Sequence, residues 1–263
     1  MIPKIIHYCW FGRNPLPKLA IKCIKSWKKY CPDYEIIEWN EDNFDISVAP
    51  LYVRQAYETK KWAFVTDYVR LWAMVNFGGV YMDTDVEVVK PLDDFLQHKA
   101  FSGFEDDIHI PTGIMASEQD FPLFKSFLAF YDDAEFIKSD GSLNMVTNVA
   151  IMTDMCLKRG LIQNGQFQLV EDFALYPKEF FCPVSYGTNV LERTDNTAAI
   201  HWFAGSWQPT DVKKKRKRDE AKYRRHEFMY TVRYTPNRVL MTILGETGYN
   251  KLKVFLKGNS QEK

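Results

Sequence analysis

Between Trp62 and Met82 the chain carries only two charged side chains, Asp67 and Arg70, in a run that is otherwise almost wholly apolar or aromatic. Such a run has no side to turn to water, so the helix predicted over Lys60 to Phe77 must be buried nearly all round. Its two charges, spaced i and i+3, share a face and need partners there, either each other or a polar ligand. Gly78-Gly79 closes the helix, and Val80 to Met82 then reads as a short strand running into Asp83-Thr84-Asp85.

The flanking pattern is α/β. Ile2 to Trp10 reads as a buried first strand, followed by a loop rich in Gly and Pro. Leu19, Cys23, Ile24, Trp27 and Cys31 then recur at helical spacing, and Tyr34 to Trp39 follows as a second strand. Strand, helix, strand predicts an open sheet. Further strands are predicted at Ala100 to Phe104, Ile108 to Ala116, Glu179 to Tyr186 and Ala198 to Trp202. A helix is predicted over Pro122 to Tyr131, with Leu123, Phe127 and Phe130 on one face. A length of 263 residues fits one large domain or a domain with an appendage. An aromatic content of 15% suits either a large aromatic core or a protein that stacks on sugars and bases.

Strand periodicity over Val80 to Glu87 would put Tyr81, Asp83, Asp85 and Glu87 on one face. Two carboxylates two residues apart, at the end of an apolar strand, form a hard-cation site suited to Mg²⁺ or Mn²⁺. In open α/β sheets such ligands gather at the carboxyl ends of strands.

The runs Ala63-Phe64-Val65-Thr66-Asp67-Tyr68-Val69-Arg70 and Gly78-Gly79-Val80-Tyr81-Met82-Asp83-Thr84-Asp85 resemble the sugar-nucleotide motif of glycosyltransferase family 32. That family includes bacterial capsule and lipopolysaccharide transferases and fungal Golgi mannosyltransferases, and is similar to the glucosylating domains of large clostridial toxins. The opening Ile2 to Gly12 resembles the start of the family, and Ile200-His201-Trp202 with Ser206-Trp207 resembles its closing motif. The resemblance is dense over residues 1 to 90 and thinner afterwards.

It implies a GT-A-like fold, a Rossmann-type mixed sheet flanked by helices. Residues 1 to 211 would form the catalytic domain, and 212 to 263 a basic segment with short C-terminal helices. The implied reaction is retaining transfer from a nucleotide sugar, with UDP favoured and Mn²⁺ or Mg²⁺ as cofactor, to a glycan or lipid-linked acceptor in bacterial surface polysaccharide synthesis. Asp85 would ligate the metal, joined by Asp83 and His201. Asp83, Thr66, Asp67 and Arg70 would hold the ribose, the sugar and nearby phosphate oxygens, Trp10 would stack on the base, and Ser206 and Trp207 would close over the diphosphate. The group beneath the anomeric carbon stays open among Asp106, Asp107, Asn148, Glu171 and Asp172.

An Asp-x-Asp after an apolar strand is also the nucleophile signature of haloacid-dehalogenase-like phosphatases, with Asp83 as nucleophile. Glu87 stands where that signature expects Thr or Val.

Basic and acidic residues balance at 34 each, but Lys213 to Arg225 holds nine basic residues against two acidic. An acidic body therefore carries a basic segment. Lys213 to Arg218 could meet an anionic membrane surface, aided by an amphipathic helix over Tyr249 to Leu256. An alternative, non-enzymatic reading makes the basic tract a nucleic-acid or anion contact with aromatics as stacking platforms, but the basic residues lie in one short block while the aromatics are spread through core elements, so no nucleic-acid partner is expected. Five cysteines without a C-x-x-C pair suggest a reducing compartment, and uncharged runs are too short to span a bilayer. The expectation is a cytoplasmic protein, soluble or peripheral at the inner face of the membrane.

Overall fold

The computed structural model describes residues 1–185 and 190–205, together with 218, 244–245, 247–249 and 251–252. The chain divides into two compact units, Met1–Gln208 and Pro209–Lys263. The described residues of the second unit are helical. Lys213 to Lys217, Ser206, Trp207 and most of Tyr249 to Leu256 lie outside the described residues.

The first unit runs β1 (Ile5–Cys9), α1 (Lys18–Tyr30), β2 (Glu35–Trp39), α2 (Leu51–Glu58), α3 (Trp62–Phe77), β3 (Gly79–Met82) and β4 (Val86–Val88). It continues with β5 (Ala100–Gly103), β6 (Ile114–Ser117), α4 (Pro122–Ala129), α5 (Asn148–Leu157), β7 (Gln168–Val170), β8 (Phe173–Tyr176), α6 (Lys178–Phe181) and β9 (Ala199–His201). Seven strands form one mixed sheet in the order β2-β1-β3-β6-β5-β8-β7, and β4 pairs with β9 in a separate ribbon. β1 is parallel to β2 and β3, whereas β6 runs antiparallel to both β3 and β5. The expected mixed sheet flanked by helices is what the chain forms.

Alternation along the strands feeds two cores. Tyr81, Met115 and Phe173 join residues of α2, α3, α4 and α5 on one side. Val80, Met82, Ile114 and Ala116 join Cys23 and Trp27 of α1, Phe181 of α6 and the β4–β9 ribbon on the other. Helices thus cover both faces. The aromatic content goes largely into these cores: Trp27, Tyr81, Tyr131, Phe101, Phe124 and Phe181 are among the largest fully buried side chains. No described helix is long and apolar enough to cross a membrane.

α3 is buried along residues 64–74 on the face that holds Arg70, but not all round: Thr66, Asp67 and Trp72 are half-buried, and Asn76 and Phe77 are exposed at its end. It stops because Gly78 and Gly79 both take positive φ, and a Cβ on Gly79 would sit 2.6 Å from the Ile5 carbonyl oxygen. Glycine there lets β3 lie against β1.

Four other expectations need correction. The strand ends at Met82: Asp83 to Asp85 form a turn closed by Val86 N–H to the Asp83 carbonyl (2.9 Å), so the four side chains from Tyr81 to Glu87 do not share a strand face. Over its described part, Glu179 to Ser185, the predicted strand is instead the end of the short α6 followed by irregular chain with an isolated bridge at Val184; Tyr186 lies outside the described residues. β6 begins only at Ile114, because residues before it form a loop held by Asp106, whose carboxylate accepts from the Ile108 and His109 amides. α4 stops at Ala129 and buries Leu123, Phe124 and Phe127, which leaves Phe130 exposed at its end.

Candidate active site

β1 and β3 are parallel neighbours with His7 opposite Tyr81. Their carboxyl ends therefore emerge at the same sheet edge, carrying Trp10 and the Asp83–Asp85 turn. Trp10 is half-buried, with its ring N–H donating to the Asn14 carbonyl at 2.6 Å.

Arg70 links helix to turn. Its guanidinium lies 3.0 Å from Asp67 Oδ1 and 3.4 Å from Asp83 Oδ1. It also donates to the Thr66 carbonyl (3.2 Å) and hydroxyl (3.3 Å), and to the Thr112 carbonyl (2.8 Å) and hydroxyl (3.1 Å). The group lies over the Tyr81 ring, 4.8 Å from its centroid. The i, i+3 pair read from the sequence is thus present, extended to a third charge on β3. Every nitrogen of Arg70 is engaged by protein, and the group ties Asp67 to Asp83. Thr66 serves the same end, since its hydroxyl also donates to the Ala63 carbonyl at 2.8 Å.

Burial pushes the Asp67 carboxyl up to about 6, against the opposing pull of Arg70. Burial alone would lower the pKa of Arg70, but Asp83, Tyr81 and Asp67 outweigh it and hold the guanidinium charged. The Tyr81 hydroxyl donates to Asp83 Oδ1 at 2.8 Å, fixing that carboxylate from the strand side.

The turn's second carboxylate faces β9. Asp85 Oδ1 is 3.4 Å from His201 Nε2, Asp85 Oδ2 accepts from the Ala204 amide at 2.7 Å, and the Asp85 carbonyl accepts from Trp202 N–H at 3.0 Å. Burial works against the charged form of both partners, yet their mutual attraction prevails: the Asp85 carboxyl lies below its ordinary range and His201 well above. Among the described residues, Asp83, Asp85 and His201 offer ligand atoms that all lie within 4.8 Å of one another. His201 Nδ1 is buried without a hydrogen-bond partner in normal reach, with the Cys182 thiol beside the ring. Two carboxylates, the His201 imidazole once it has given up its extra proton, and a glycine in place of a side chain at position 113 fit a divalent cation.

Three of the residues left open for the place beneath the anomeric carbon have partners in the protein. Asn148 is buried, donating to the Asp67 carbonyl at 2.9 Å and accepting from Tyr131. Asp172 pairs with Lys99 at 2.8 Å, and Asp106 pairs with His109 at 2.7 Å. Thr112 and Gly113 were not expected from the sequence. They form a loop whose contacts to Arg70 and Asp83 exist only once β6 has crossed beside β3, and no local pattern announces that.

Residues 17–102 match the family described as glycosyltransferase sugar-binding region containing DXD motif. Inositol phosphoceramide mannosyltransferase 3 of Schizosaccharomyces pombe is 32% identical over 104 residues, covering 38% of this chain and 29% of the relative. Mannosyl phosphorylinositol ceramide synthase CSH1 of Saccharomyces cerevisiae is 25% identical over 127 residues, covering 47% of this chain and 34% of the relative. The chain thus spans about a third of the length of these relatives. Among solved structures, the PaToxG glycosyltransferase covers 60% of this chain and 69% of its own length, with 18% identity and a TM-score of 0.48. The galactosyltransferase LgtC, solved with donor and acceptor sugar analogs, covers 82% and 93%, with 15% identity and a TM-score of 0.39. The segment from Pro17 to Ser102, which contains Asp83-Thr84-Asp85, is thus similar to the DXD-containing glycosyltransferase sugar-binding regions.

Proposed function

We propose that this protein is a GT-A-like, metal-dependent glycosyltransferase that moves a sugar with retention from a nucleotide sugar to a glycan or lipid-linked acceptor. The observation that carries this reading is that Asp83 and Asp85, inside the segment that matches the family, converge at the end of β3 with His201 of β9. A nucleoside diphosphate leaves only when its developing negative charge is met, and a divalent cation held by these three residues would supply that charge. Arg70 keeps Asp83 and Asp67 in register with each other. Asp67, engaged by Arg70 through Oδ1, would accept a sugar hydroxyl. Trp10 at the adjacent strand end would offer its ring to the base.

UDP-hexoses are the favoured donors. GDP-mannose belongs beside them, because the relatives are named as mannosyltransferases. Their names also specify inositol phosphoceramide, which supports an acceptor carried on a lipid. A place in surface-glycan assembly at the inner face of a membrane, with Lys213 to Arg218 near anionic lipid, completes the proposal.

The test is a thermal-melt panel of nucleotide sugars with and without Mn²⁺, on the wild type and Asp85→Ala. A donor at 100 times its dissociation constant adds about 2.7 kcal/mol, or about 5–10 °C for a unit of this size. The expected result is a Mn²⁺-dependent shift with one donor, absent in Asp85→Ala, whose turnover falls by about 10²-fold or more. No shift with any donor in folded protein would refute the proposal.

A further inference from the structure

Gly113 lies in the loop leading into β6, and its carbonyl accepts from the Asp83 amide at 2.7 Å. The residue before it, Thr112, is the one that receives Arg70. A Cβ on Gly113 would come 2.7 Å from His201 Cε1, 2.9 Å from Asp83 Oδ2 and 3.2 Å from His201 Nδ1. Gly113 is not among the positive-φ glycines, so its backbone makes no demand for glycine. What the position demands is space, and the space lies between two of the three groups assigned to the cation.

Neither neighbour is free to give way. Asp83 Oδ1 is held by Tyr81 at 2.8 Å and by Arg70 at 3.4 Å. His201 is fixed by its pairing with Val86 across the ribbon, by Asp85 at 3.4 Å and by Phe203, whose ring centroid is 4.1 Å away. A methyl group there must therefore drive the carboxylate or the ring out of place. Resting on the metal reading above, we infer that Gly113 is a positioning residue of the cation site: its missing side chain keeps open the gap between Asp83 Oδ2 and the His201 ring, beside which a small divalent cation would be bound. Mg²⁺ and Mn²⁺ need oxygen and nitrogen ligands at about 2.0–2.2 Å, so a displacement of several tenths of an ångström is enough to lose a ligand.

The test reads binding rather than turnover. Mn²⁺, alone and with UDP or GDP, is titrated into wild type, Gly113→Ala and Asp85→Ala, with free Mn²⁺ followed by its electron paramagnetic resonance signal. Melts in EDTA report the fold. The expected result is a Gly113→Ala protein that melts within a few degrees of wild type in EDTA yet binds Mn²⁺ at least about 10-fold more weakly, a difference of about 1.4 kcal/mol. Gly113→Ala binding Mn²⁺ as wild type does, while Asp85→Ala fails to, overturns this inference and leaves the metal reading standing. Wild type binding no Mn²⁺ under any of the three conditions overturns both. Should Gly113→Ala melt far below wild type in EDTA, the same substitution is made in a His201→Ala background. A negligible cost there supports the gap between ring and carboxylate, and an undiminished cost overturns the inference.

Discussion

Acid should weaken this fold through His7. His7 is fully buried on β1, with Trp39 Nε1 donating to its Nδ1 at 3.1 Å and its Nε2 2.8 Å from the Gly78 carbonyl. That arrangement requires the neutral ring with its proton on Nε2: a second proton on Nδ1 would face the Trp39 N–H. Burial lowers the His7 pKa to about 4, only partly opposed by the Gly78 carbonyl. The unfolded chain takes up its proton near the ordinary 6.5, so the folded state is at no disadvantage above that pH. It loses stability as pH falls from 6.5 to 4, by about 3 kcal/mol in all, or about 6–12 °C in melting midpoint. Asp67 acts in the opposite sense, because its folded pKa of about 6 exceeds the ordinary carboxylate value and favours the folded state as pH falls through 6. The two overlap, so the informative quantity is the difference between wild type and His7→Gln in midpoint against pH. The variant should show a shallower decline between pH 6.5 and 4, and in wild type the His7 ring protons followed by NMR should stay at their neutral shifts down to about pH 5. Parallel profiles, or a His7 resonance titrating near 6.5, would refute the reasoning.

Gly79→Ala should be far more damaging than its size suggests, since it combines a positive φ with a Cβ 2.6 Å from the Ile5 carbonyl; a loss of about 3 kcal/mol or more in urea unfolding is expected, and under 1 kcal/mol would show that β1 and β3 can separate freely. Arg70→Lys keeps the charge but abandons the bonds to Thr66 and Thr112, so turnover should fall by about 10-fold or more while the protein remains folded by circular dichroism. All five cysteines are buried and unpaired, so a thiol reagent should label none in native buffer and five in guanidinium; prompt labelling of the native protein would contradict their placement.

The helix α3, its glycine stop and the DXD turn were legible because each has a local signature: an apolar run, paired glycines, carboxylates after a strand. β7 and β8 were not, being three and four residues long, with Leu169 of β7 turned outward. α5 escaped because apolar residues surround it without a one-sided period, and its first residue, Asn148, was weighed as chemistry when its side chain ties α3 to Tyr131. Within the site, Asp67, Arg70, Asp83 and Asp85 announced themselves by charge in apolar surroundings. His201 became a candidate through family resemblance, and its place opposite Asp85 is set by the β4–β9 pairing. Thr112 and Gly113 had no signal, because their importance comes from where β6 lies.

The ribbon of β4 and β9 also sets a clock. Asp85 and the amide of Ala204 that it grips are 119 residues apart. A ribosome adding about 5–20 residues each second needs about 6–24 s to make the second after the first. Throughout that interval the newborn chain displays Asp83 and Asp85 with neither the imidazole nor the amide that completes them. If these groups hold a cation as proposed, they come together only near the end of the synthesis of this unit.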